Sequence, residues 1–448
     1  MADGRQPEQQ SLFTPGFGKR PHLVAGRAAE LAEINGSVLA APHSPNSSNL
    51  ILGQRGFGKT VMLNEIEDTA AAEGWVVLRA DASSPGLAHR IMVEAAKNPF
   101  VQDVMGTTSA ALDAAHTTKT YSSSLRLWLA RFTKETTETK TSPSVRDTLE
   151  VLGHSAMEHN TGVLLTVDEL HAGERDEMVR LAADLQMVTE RGELPVAFVG
   201  AALPEVLYTM LKDRRLSFFR RSDQYEIAAV DDEDARFFFE QGIRDGGGAI
   251  SPDALEVLVG SAAGYPYKMQ LLGHWAWRHA NAPVRTITSE DAAFADLQAS
   301  SIVRKRVHAH IWQNLSQDER ALVRAVSAHG EAAALWDVSD LLPHTSEAIS
   351  DMLARVSAVG ALAYGGGTHV RLGPLMDAEF IRESTAALSL IEQHRASGTA
   401  QGDNTLHAGA APAEPGRGSR HPRCNRPMKR VPGRCIRPDG HSGRCRSK

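Results

Sequence analysis

Short apolar runs separated by longer stretches of helical periodicity dominate the first half of the chain. The runs at 50–52, 75–80, 162–167 and 195–200 have the composition of buried strands. After the first run, apolar residues recur at helical spacing, at Val61, Met62, Leu63, Ile66 and Ala70. This alternation predicts an α/β fold built on a parallel sheet with helices packed against it.

A glycine-rich loop joins the first apolar run to this helix. Residues 53–60 fit the phosphate-binding pattern G-x-x-x-x-G-K-[ST], known as the P-loop. Backbone N–H groups of such a loop, together with the helix N-terminus, face the phosphates. We expect Lys59 to reach the β- and γ-phosphates and the Thr60 hydroxyl to bind Mg²⁺. The predicted nucleotide contacts are Gly53, Gln54, Arg55, Gly56, Phe57, Gly58, Lys59, Thr60 and Val61.

Two acids, Asp168 and Glu169, end the apolar run at 162–167. In a P-loop NTPase a carboxylate at this point holds the Mg²⁺ shell, which is the role predicted for Asp168. Glu169 would point toward the γ-phosphate and orient or deprotonate the attacking water. The alternative is a strand that ends at a solvated acidic turn.

These motifs resemble those of the AAA-type P-loop ATPases, in the bacterial and archaeal group related to origin-recognition ATPases and to STAND NTPases. Residues 23–27 are similar to the box that wraps the adenine, so the resemblance implies Val24, Gly26 and Arg27 in the base pocket. Residues 195–205 resemble the fourth core strand and its turn, and residues 264–267 resemble part of the helical lid. The resemblance covers roughly residues 12–385.

The chain departs from this family where the γ-phosphate is sensed. Gly200-Ala201-Ala202, after the fourth strand, offers no side-chain donor, and Tyr267 and Lys268 stand near the usual sensor arginine. These departures favour slow hydrolysis and a nucleotide-held switch over a motor.

A basic stretch at 212–221 precedes a predicted last core strand at Tyr225–Val230. The resemblance implies an arginine finger here that reaches into a neighbouring subunit, with Arg220 as first choice and Arg221 as second. Such a residue stabilises the charge of the transition state. A solvated basic turn is the alternative, and one sequence does not decide between them.

Residues 301–390 are predicted to form three helices and a β-hairpin, an order that resembles a winged helix. A capping box at Ser316–Glu319 begins the first helix, followed by helices near Trp336–Leu342 and Thr345–Val359. The third helix of a winged helix reads the major groove of DNA. Its exposed face here carries two acids and one arginine, which favours protein contact or self-packing over DNA contact.

Composition and charge separate a globular body from a basic C-terminal tail. The chain has 448 residues, of which 42% are hydrophobic, and a net charge of −6. Residues 417–448 hold eleven Lys and Arg against one acid, so this segment could bind duplex DNA or another polyanion. No apolar stretch suggests a signal peptide or a membrane span, so we expect a cytoplasmic protein without membrane contact.

The same tail contains all three cysteines of the chain. With one histidine they form a set of four candidate zinc ligands: Cys424, Cys435, His441 and Cys445. A segment this polar cannot bury a core, so zinc would be its route to a fold. The alternative is an unfolded basic arm with incidental thiols.

The predicted domains follow one another along the chain in a simple order. They are a flexible lead-in at 1–20, a P-loop ATPase core at 21–230 with a helical insertion at 81–160, a helical lid at 231–300, a winged helix at 301–390, a linker at 391–418 and the basic tail at 419–448.

Three functional hypotheses follow from this organisation. The first is an ATPase that uses Mg²⁺, with Glu169, Lys59 and Arg220 as catalytic residues, and acts on DNA, a protein partner or a homo-oligomer. The second is a regulatory module that holds ATP without useful turnover. The third is a factor that loads onto or recognises DNA.

Overall fold

The computed structural model describes most of the chain up to residue 385. The described residues are 11–16, 19–41, 47–103, 128, 144–189, 193–204, 213–280, 286–330, 333–364, 369–373 and 375–385. The predicted zinc ligands and the basic tail lie outside them, as do residues 104–127 and 129–143 of the predicted helical insertion and residues 365–368 of the hairpin.

A five-stranded parallel sheet forms the centre of the N-terminal half. Its strands are β1 (Ser48–Leu52), β2 (Val76–Asp81), β3 (Val163–Asp168), β4 (Val196–Ala202) and β5 (Asp223–Glu226). They lie in the order β2-β3-β4-β1-β5, and all neighbours are parallel. The α/β class predicted from the apolar runs is therefore confirmed.

Helices cover both faces of this sheet. They are α1 (Ala28–Leu39), α2 (Lys59–Ala72), α3 (Leu87–Lys97), α4 (Val145–Glu158), α5 (Arg175–Thr189) and the short α6 (Ser217–Arg221). Alternate residues of the strands point to opposite faces, which divides the core into two halves. Ile51 and Leu164 pack with α1 and α2, whereas Leu50 and Leu165 pack with the helices on the other side.

The helices at either end of the predicted insertion belong to the core. α3 buries Leu87 and Ile91 and α4 buries Leu149 and Leu152, all in the cluster on one face of the sheet. Of residues 104–143, only Trp128 is described; it is buried and donates to the Thr148 hydroxyl of α4.

A helical lid follows the sheet. It contains α7 (Asp232–Asp245), α8 (Pro252–Ala262), α9 (Pro266–His279) and α10 (Ser289–Val303), with two short parallel strands, β6 (Ala249–Ile250) and β7 (Thr286–Ile287). Asp231 caps α7 by accepting from the Asp234 backbone N–H, which satisfies an N–H of the first turn. Phe13 lies in the predicted flexible lead-in, yet its ring is buried against Phe238 at 5.5 Å between centroids.

Three helices and a small antiparallel sheet occupy the C-terminal part of the described chain. A π-helical turn (Arg304–His308) and α11 (Ala309–Asn314) lead into them. The elements are α12 (Gln317–Ala328), β8 (Ala333–Ala334), α13 (Leu335–Asp340), α14 (Ser346–Ala358), β9 (Leu362–Tyr364) and β10 (His369–Leu372). β10 pairs with both β8 and β9, and the predicted capping box at Ser316–Glu319 is present. Assignment of this unit to the winged-helix class stays a prediction.

The predicted last core strand is shorter than expected. β5 ends at Glu226. The Ile227 N–H still donates to the Leu52 carbonyl of β1 at 2.8 Å, but three residues later the Val230 N–H donates to the Gly264 carbonyl of the lid at 2.9 Å. No helix in the described part of the chain is long and apolar enough to cross a membrane.

Candidate functional site

A cavity of about 1270 Å³ opens above the carboxyl ends of β1 and β3. Its walls come from the loop after β1, from both acids after β3, from the lid and from the C-terminal helices. The carboxyl ends of parallel strands face the same side of a sheet, so the two sequence motifs meet here. This convergence makes the cavity the candidate site.

The loop at residues 53–58 runs directly into the N-terminus of α2. Gly58 occupies the N-cap with φ of +95°, a conformation that residues with a Cβ rarely adopt. No acid lies in the first turn of α2, so nothing there opposes an anion held by its N–H groups. The loop and helix therefore present the backbone donors that a phosphate requires.

Lys59 is a buried cation of the glycine loop. Its Nζ donates to the Gly53 carbonyl at 2.8 Å and to the Gln54 carbonyl at 3.2 Å, and the residue is 6% exposed. Burial lowers the pKa of Lys59, and the carboxylates of Glu169 and Asp168 oppose that shift. An ammonium group has three N–H donors, so one remains for a phosphate oxygen beside the two on the loop.

Thr60 and Asp168 connect the two motifs directly. The Thr60 hydroxyl donates to Oδ2 of Asp168 at 2.7 Å, although 108 positions separate these residues in the chain. The other carboxylate oxygen, Oδ1, accepts from the Glu169 backbone N–H at 2.8 Å. Asp168 is thus held by two hydrogen bonds at the mouth of the loop, as its predicted role requires.

Hard oxygen donors of this kind suit Mg²⁺. The described residues contain no group of three or more His, Cys, Asp or Glu side chains arranged to hold a metal ion. A cation beside Thr60 and Asp168 would therefore complete its shell with phosphate oxygens and water, which is how Mg²⁺ is usually bound in phosphoryl-transfer sites.

Glu169 begins the turn after β3 and has φ of +53°. Its Oε2 lies 3.0 Å from Nε2 of His171, and both side chains line the cavity. The hydrogen bond from His171 lowers the pKa of Glu169, although partial burial opposes the shift. The Glu169 carboxylate is therefore favoured in its ionised form and lies in the wall of the same cavity as the loop.

Apolar residues form the side of the cavity on which we predicted the base. Leu23 and Val24 lie there with Val230, Phe238 and Met269. The Arg27 guanidinium, in the same wall, donates to the carbonyls of Gly26 and Ala228, at 2.8 Å and 2.5 Å. Arg27 therefore connects the segment that contains Gly26 to the segment after β5 that contains Ala228.

The lid rests directly on the glycine loop. The Tyr265 hydroxyl donates to the Arg55 carbonyl at 3.1 Å, and its ring packs on Phe57 with centroids 5.4 Å apart. The Tyr267 N–H donates to the Gly56 carbonyl at 3.2 Å. A shift of the lid would therefore move the loop that is predicted to hold the phosphates.

A second contact links the loop to the C-terminal helices. The Gln54 side-chain amide donates to the carbonyls of Ser357 and Ala358, at 3.2 Å and 2.5 Å, in the last turn of α14. Helix C-termini leave carbonyls without intrahelical partners. Gln54 supplies a donor to the Ala358 carbonyl and a second donor to the Ser357 carbonyl, which also accepts from the Gly360 N–H. The predicted winged-helix unit is thus fastened to the glycine loop.

Several residues that line the cavity were not predicted from the sequence, and two of them form side-chain hydrogen bonds with neighbouring elements. His171 is one: its Nδ1 accepts from the backbone N–H of Leu203, the residue that follows β4, and the sequence does not reveal this contact. Arg306 is the other; it lies in the π-helical turn, lines the cavity and donates to the Tyr267 hydroxyl at 3.2 Å. Neither belongs to a recognisable motif, although π-helical turns often occur at functional sites.

Other predicted site residues lie away from this cavity. Arg220 is exposed on α6 and does not line it, so an arginine-finger role in a neighbouring subunit stays a prediction. Cys424, Cys435, His441 and Cys445 lie outside the described residues, so the zinc prediction also stays open.

The model of one known protein family, the AAA ATPase domain, matches residues 23–199. These residues contain the glycine loop, the two acids after β3 and the predicted base-pocket box. No curated protein matches the chain.

Solved structures supply the overall likeness. A Walker-type ATPase of Pyrococcus abyssi has a TM-score of 0.55 at 13% identity, covering 81% of this chain and 97% of its own. The ORC2 protein of Aeropyrum pernix, solved as ADPNP–ADP complexes, has a TM-score of 0.52 at 14% identity, covering 83% and 98%. At these identities the likeness establishes the fold alone.

Proposed function

We propose that the AAA ATPase domain of this chain, residues 23–199, binds Mg·ATP in the cavity and hydrolyses it to control a macromolecular partner. The observation that carries the proposal is the 2.7 Å hydrogen bond from Thr60 to Asp168. This contact puts a phosphate-binding loop beside a carboxylate, which is the pairing that Mg²⁺-dependent phosphoryl transfer needs.

Each residue of the loop has a separate task in this proposal. The backbone N–H groups of residues 56–60 hold the phosphate chain, and Lys59 places its charge between the β- and γ-phosphates. Thr60 and Asp168 hold the Mg²⁺ shell. When bound, Mg²⁺ neutralises charge on the phosphate oxygens as the terminal phosphoryl group leaves.

Glu169 orients and deprotonates the water in this proposal. Its carboxylate is ionised and lines the cavity at the carboxyl end of β3. A general base must be within hydrogen-bond reach of the proton that it removes, directly or through one water. Arg220 of a second copy would add positive charge if the chain assembles as an oligomer.

Steady-state phosphate release from Mg·ATP tests this proposal. The full-length protein should turn over ATP, and Glu169→Gln should reduce kcat by about 100-fold or more while retaining ATP binding. Lys305→Ala, which changes an exposed cation outside the cavity, serves as the matched control. Turnover that is unchanged in Glu169→Gln would contradict the proposal.

A nucleotide-held switch is the second candidate function. The contact between Gln54 and the end of α14 favours it, because this contact couples the loop to the C-terminal helices. Nucleotide phosphates bind at the same loop, so occupancy could release or retain these helices. Bound ATP without phosphate release above the Glu169→Gln level would favour the switch over the ATPase.

Duplex DNA is the partner that charge favours. The tail at 417–448 carries eleven cationic side chains and one acid, whereas the rest of the chain is strongly acidic. Phosphate contacts by such a segment bind without base specificity and weaken as salt rises. A protein partner on the C-terminal helices is the other candidate.

A further inference from the structure

His171 links the carboxylate of Glu169 to the end of β4 through two hydrogen bonds. Its Nε2 lies 3.0 Å from Oε2 of Glu169, and its Nδ1 accepts from the Leu203 backbone N–H at 3.3 Å. The side chain is 13% exposed, and Leu170, beside it in the same turn, is buried. The ring is therefore fixed at both nitrogens and held within the protein.

The Leu203 N–H determines which ring nitrogen carries the proton. Nδ1 can accept a hydrogen bond only when it is unprotonated, so the neutral imidazole carries its proton on Nε2. Nε2–H then donates to Glu169. A backbone N–H at the end of a buried strand does not move with side-chain rotamers, so it gives the ring a fixed reference point.

Glu169 itself is held in an uncommon backbone conformation. Its φ of +53° lies in the left-handed region, which costs a residue with a side chain about 1 kcal/mol or more. Its backbone N–H donates to Oδ1 of Asp168, which stabilises this turn. Within the described residues, Oε2 is bonded to His171 and Oε1 accepts no hydrogen bond.

We propose that His171 is the positioning residue for Glu169, fixing Oε2 so that Oε1 is presented to the attacking water. The inference rests on the proposed hydrolysis and adds a residue to it. His171 acts through Glu169 and does not itself contact the reacting phosphate.

A packing role for the ring makes a different prediction from a positioning role. Any side chain of similar volume would fill the space beside Leu170, whereas positioning requires an N–H donor where Nε2 now lies. Gln carries an amide N–H at nearly the same distance from the backbone as Nε2 of His, and Leu carries none. His171→Gln and His171→Leu therefore form a matched pair.

Steady-state phosphate release by the full-length protein separates the two roles. We expect His171→Leu to lower kcat by about tenfold or more with ATP affinity within about twofold of the wild type, since an unheld base loses part of its contribution. His171→Gln should recover at least about a third of the wild-type kcat. In a Glu169→Gln background, His171→Leu should have no further effect, because the group that it positions is gone.

Three results would overturn the inference. The first is a wild-type kcat in His171→Leu, and the second is an equal loss of kcat in His171→Leu and His171→Gln. The third is that His171→Leu lowers kcat by the same factor in the Glu169→Gln background as in the wild type. If His171→Leu does not fold, His171→Gln alone decides, and a loss of about tenfold in a folded Gln variant refutes positioning. Absence of phosphate release by the wild type would refute the proposed hydrolysis together with this inference, whereas the other results leave hydrolysis standing.

Discussion

At the scale of single residues, the proposed site depends on a few contacts that join distant parts of the chain. Lys59 and Thr60 are adjacent at the start of α2, and Asp168 and Glu169 are adjacent at the end of β3. Both pairs could be predicted from the sequence, because each lies within a short motif with local meaning. His171 and Arg306 could not, because their partners, Leu203 and Tyr267, lie far away in sequence.

Gly264 provides a test of how the lid joins the sheet. Its φ is +67°, and a Cβ at this position would lie 2.2 Å from the Val230 carbonyl oxygen. We expect Gly264→Ala to lower the free energy of unfolding by about 2 kcal/mol or more, from backbone strain and the clash together. Thermal and urea unfolding of the full-length protein would measure the change.

Gly260→Ala is the matched control for this substitution. Gly260 lies in α8, and a Cβ there would have no atom within 4 Å. Alanine in a helix is more stable than glycine by about 0.5–1 kcal/mol, so this variant should be unchanged or slightly stabilised. Equal stability of the two variants would contradict the described junction.

Glu67 gives a prediction for pH. Oε1 accepts from the Thr166 hydroxyl at 2.6 Å, and burial raises the pKa of Glu67 above its ordinary value. The folded state then holds this proton more tightly than the unfolded state, so stability is lost as pH rises through the raised pKa. Glu67→Gln keeps the acceptor for Thr166 and does not ionise.

The free energy of unfolding of Glu67→Gln relative to the wild type should therefore increase as pH rises from the ordinary Glu value of 4.5 through the raised pKa. Urea unfolding at several pH values in this range would measure the difference. Arg79 Nη1 lies 3.3 Å from Oε2 of Glu67 and favours its ionised form. A difference that falls as pH rises would mean that this ion pair outweighs burial.

At the scale of elements, the sequence pattern located the strands that carry the site and failed where tertiary contacts end them. Apolar runs placed β1, β2, β3 and β4 within one or two residues, because buried parallel strands have distinctive composition. β5 ended earlier than predicted: Ile227 is the last residue that bonds to β1, and Val230 already bonds to the lid. The two-residue strands β6, β7 and β8 are too short to have any periodicity.

The contact between the glycine loop and α14 is testable through Gln54. Gln54→Ala keeps the loop backbone but removes two hydrogen bonds, each worth about 1 kcal/mol. We expect ADP to dissociate faster, by roughly 3- to 30-fold, if the C-terminal helices restrain the loop. Stopped-flow release of a fluorescent ADP analogue would measure the rate.

Ser357→Ala is the control for Gln54→Ala. Gln54 bonds to the backbone carbonyl of Ser357, and the buried Ser357 hydroxyl has no hydrogen-bond partner among the described residues. Its removal leaves the contact in place, so the ADP release rate should not change. Unchanged release from Gln54→Ala would show that the contact does not restrain the nucleotide.

At the scale of the whole molecule, the clearest division is in charge, between an acidic body and a basic C-terminal tail. The excess of cationic side chains after residue 416 could be counted from the sequence, and so could the opposite balance of the remainder. The packing of the lid and the C-terminal helices against the glycine loop could not be predicted from the sequence, because no motif encodes contacts between domains. Coupling between nucleotide and partner would depend on those contacts.

Deletion of residues 417–448 tests the role of that charge. We expect duplex DNA binding at low salt to weaken by about tenfold or more, and its dependence on salt to become shallower, because fewer phosphates are neutralised. Fluorescence anisotropy over a salt series would measure both quantities. A full-length variant with Cys424→Ser and Cys445→Ser retains the charge of the tail and should still bind DNA if electrostatics alone suffices. If the deletion variant binds DNA as tightly as the full-length protein, the tail is not the DNA-binding segment.

The most direct test of the central claim is calorimetric titration of Mg·ATP into full-length wild type and Lys59→Ala. The wild type should bind one ATP per chain, and Lys59→Ala should weaken binding by at least about tenfold, since a hydrogen bond to a charged group contributes about 1.5–3 kcal/mol. Lys305→Ala should bind as the wild type does. Equal affinity in Lys59→Ala and the wild type, or no binding by either, would contradict the assignment of this cavity to ATP.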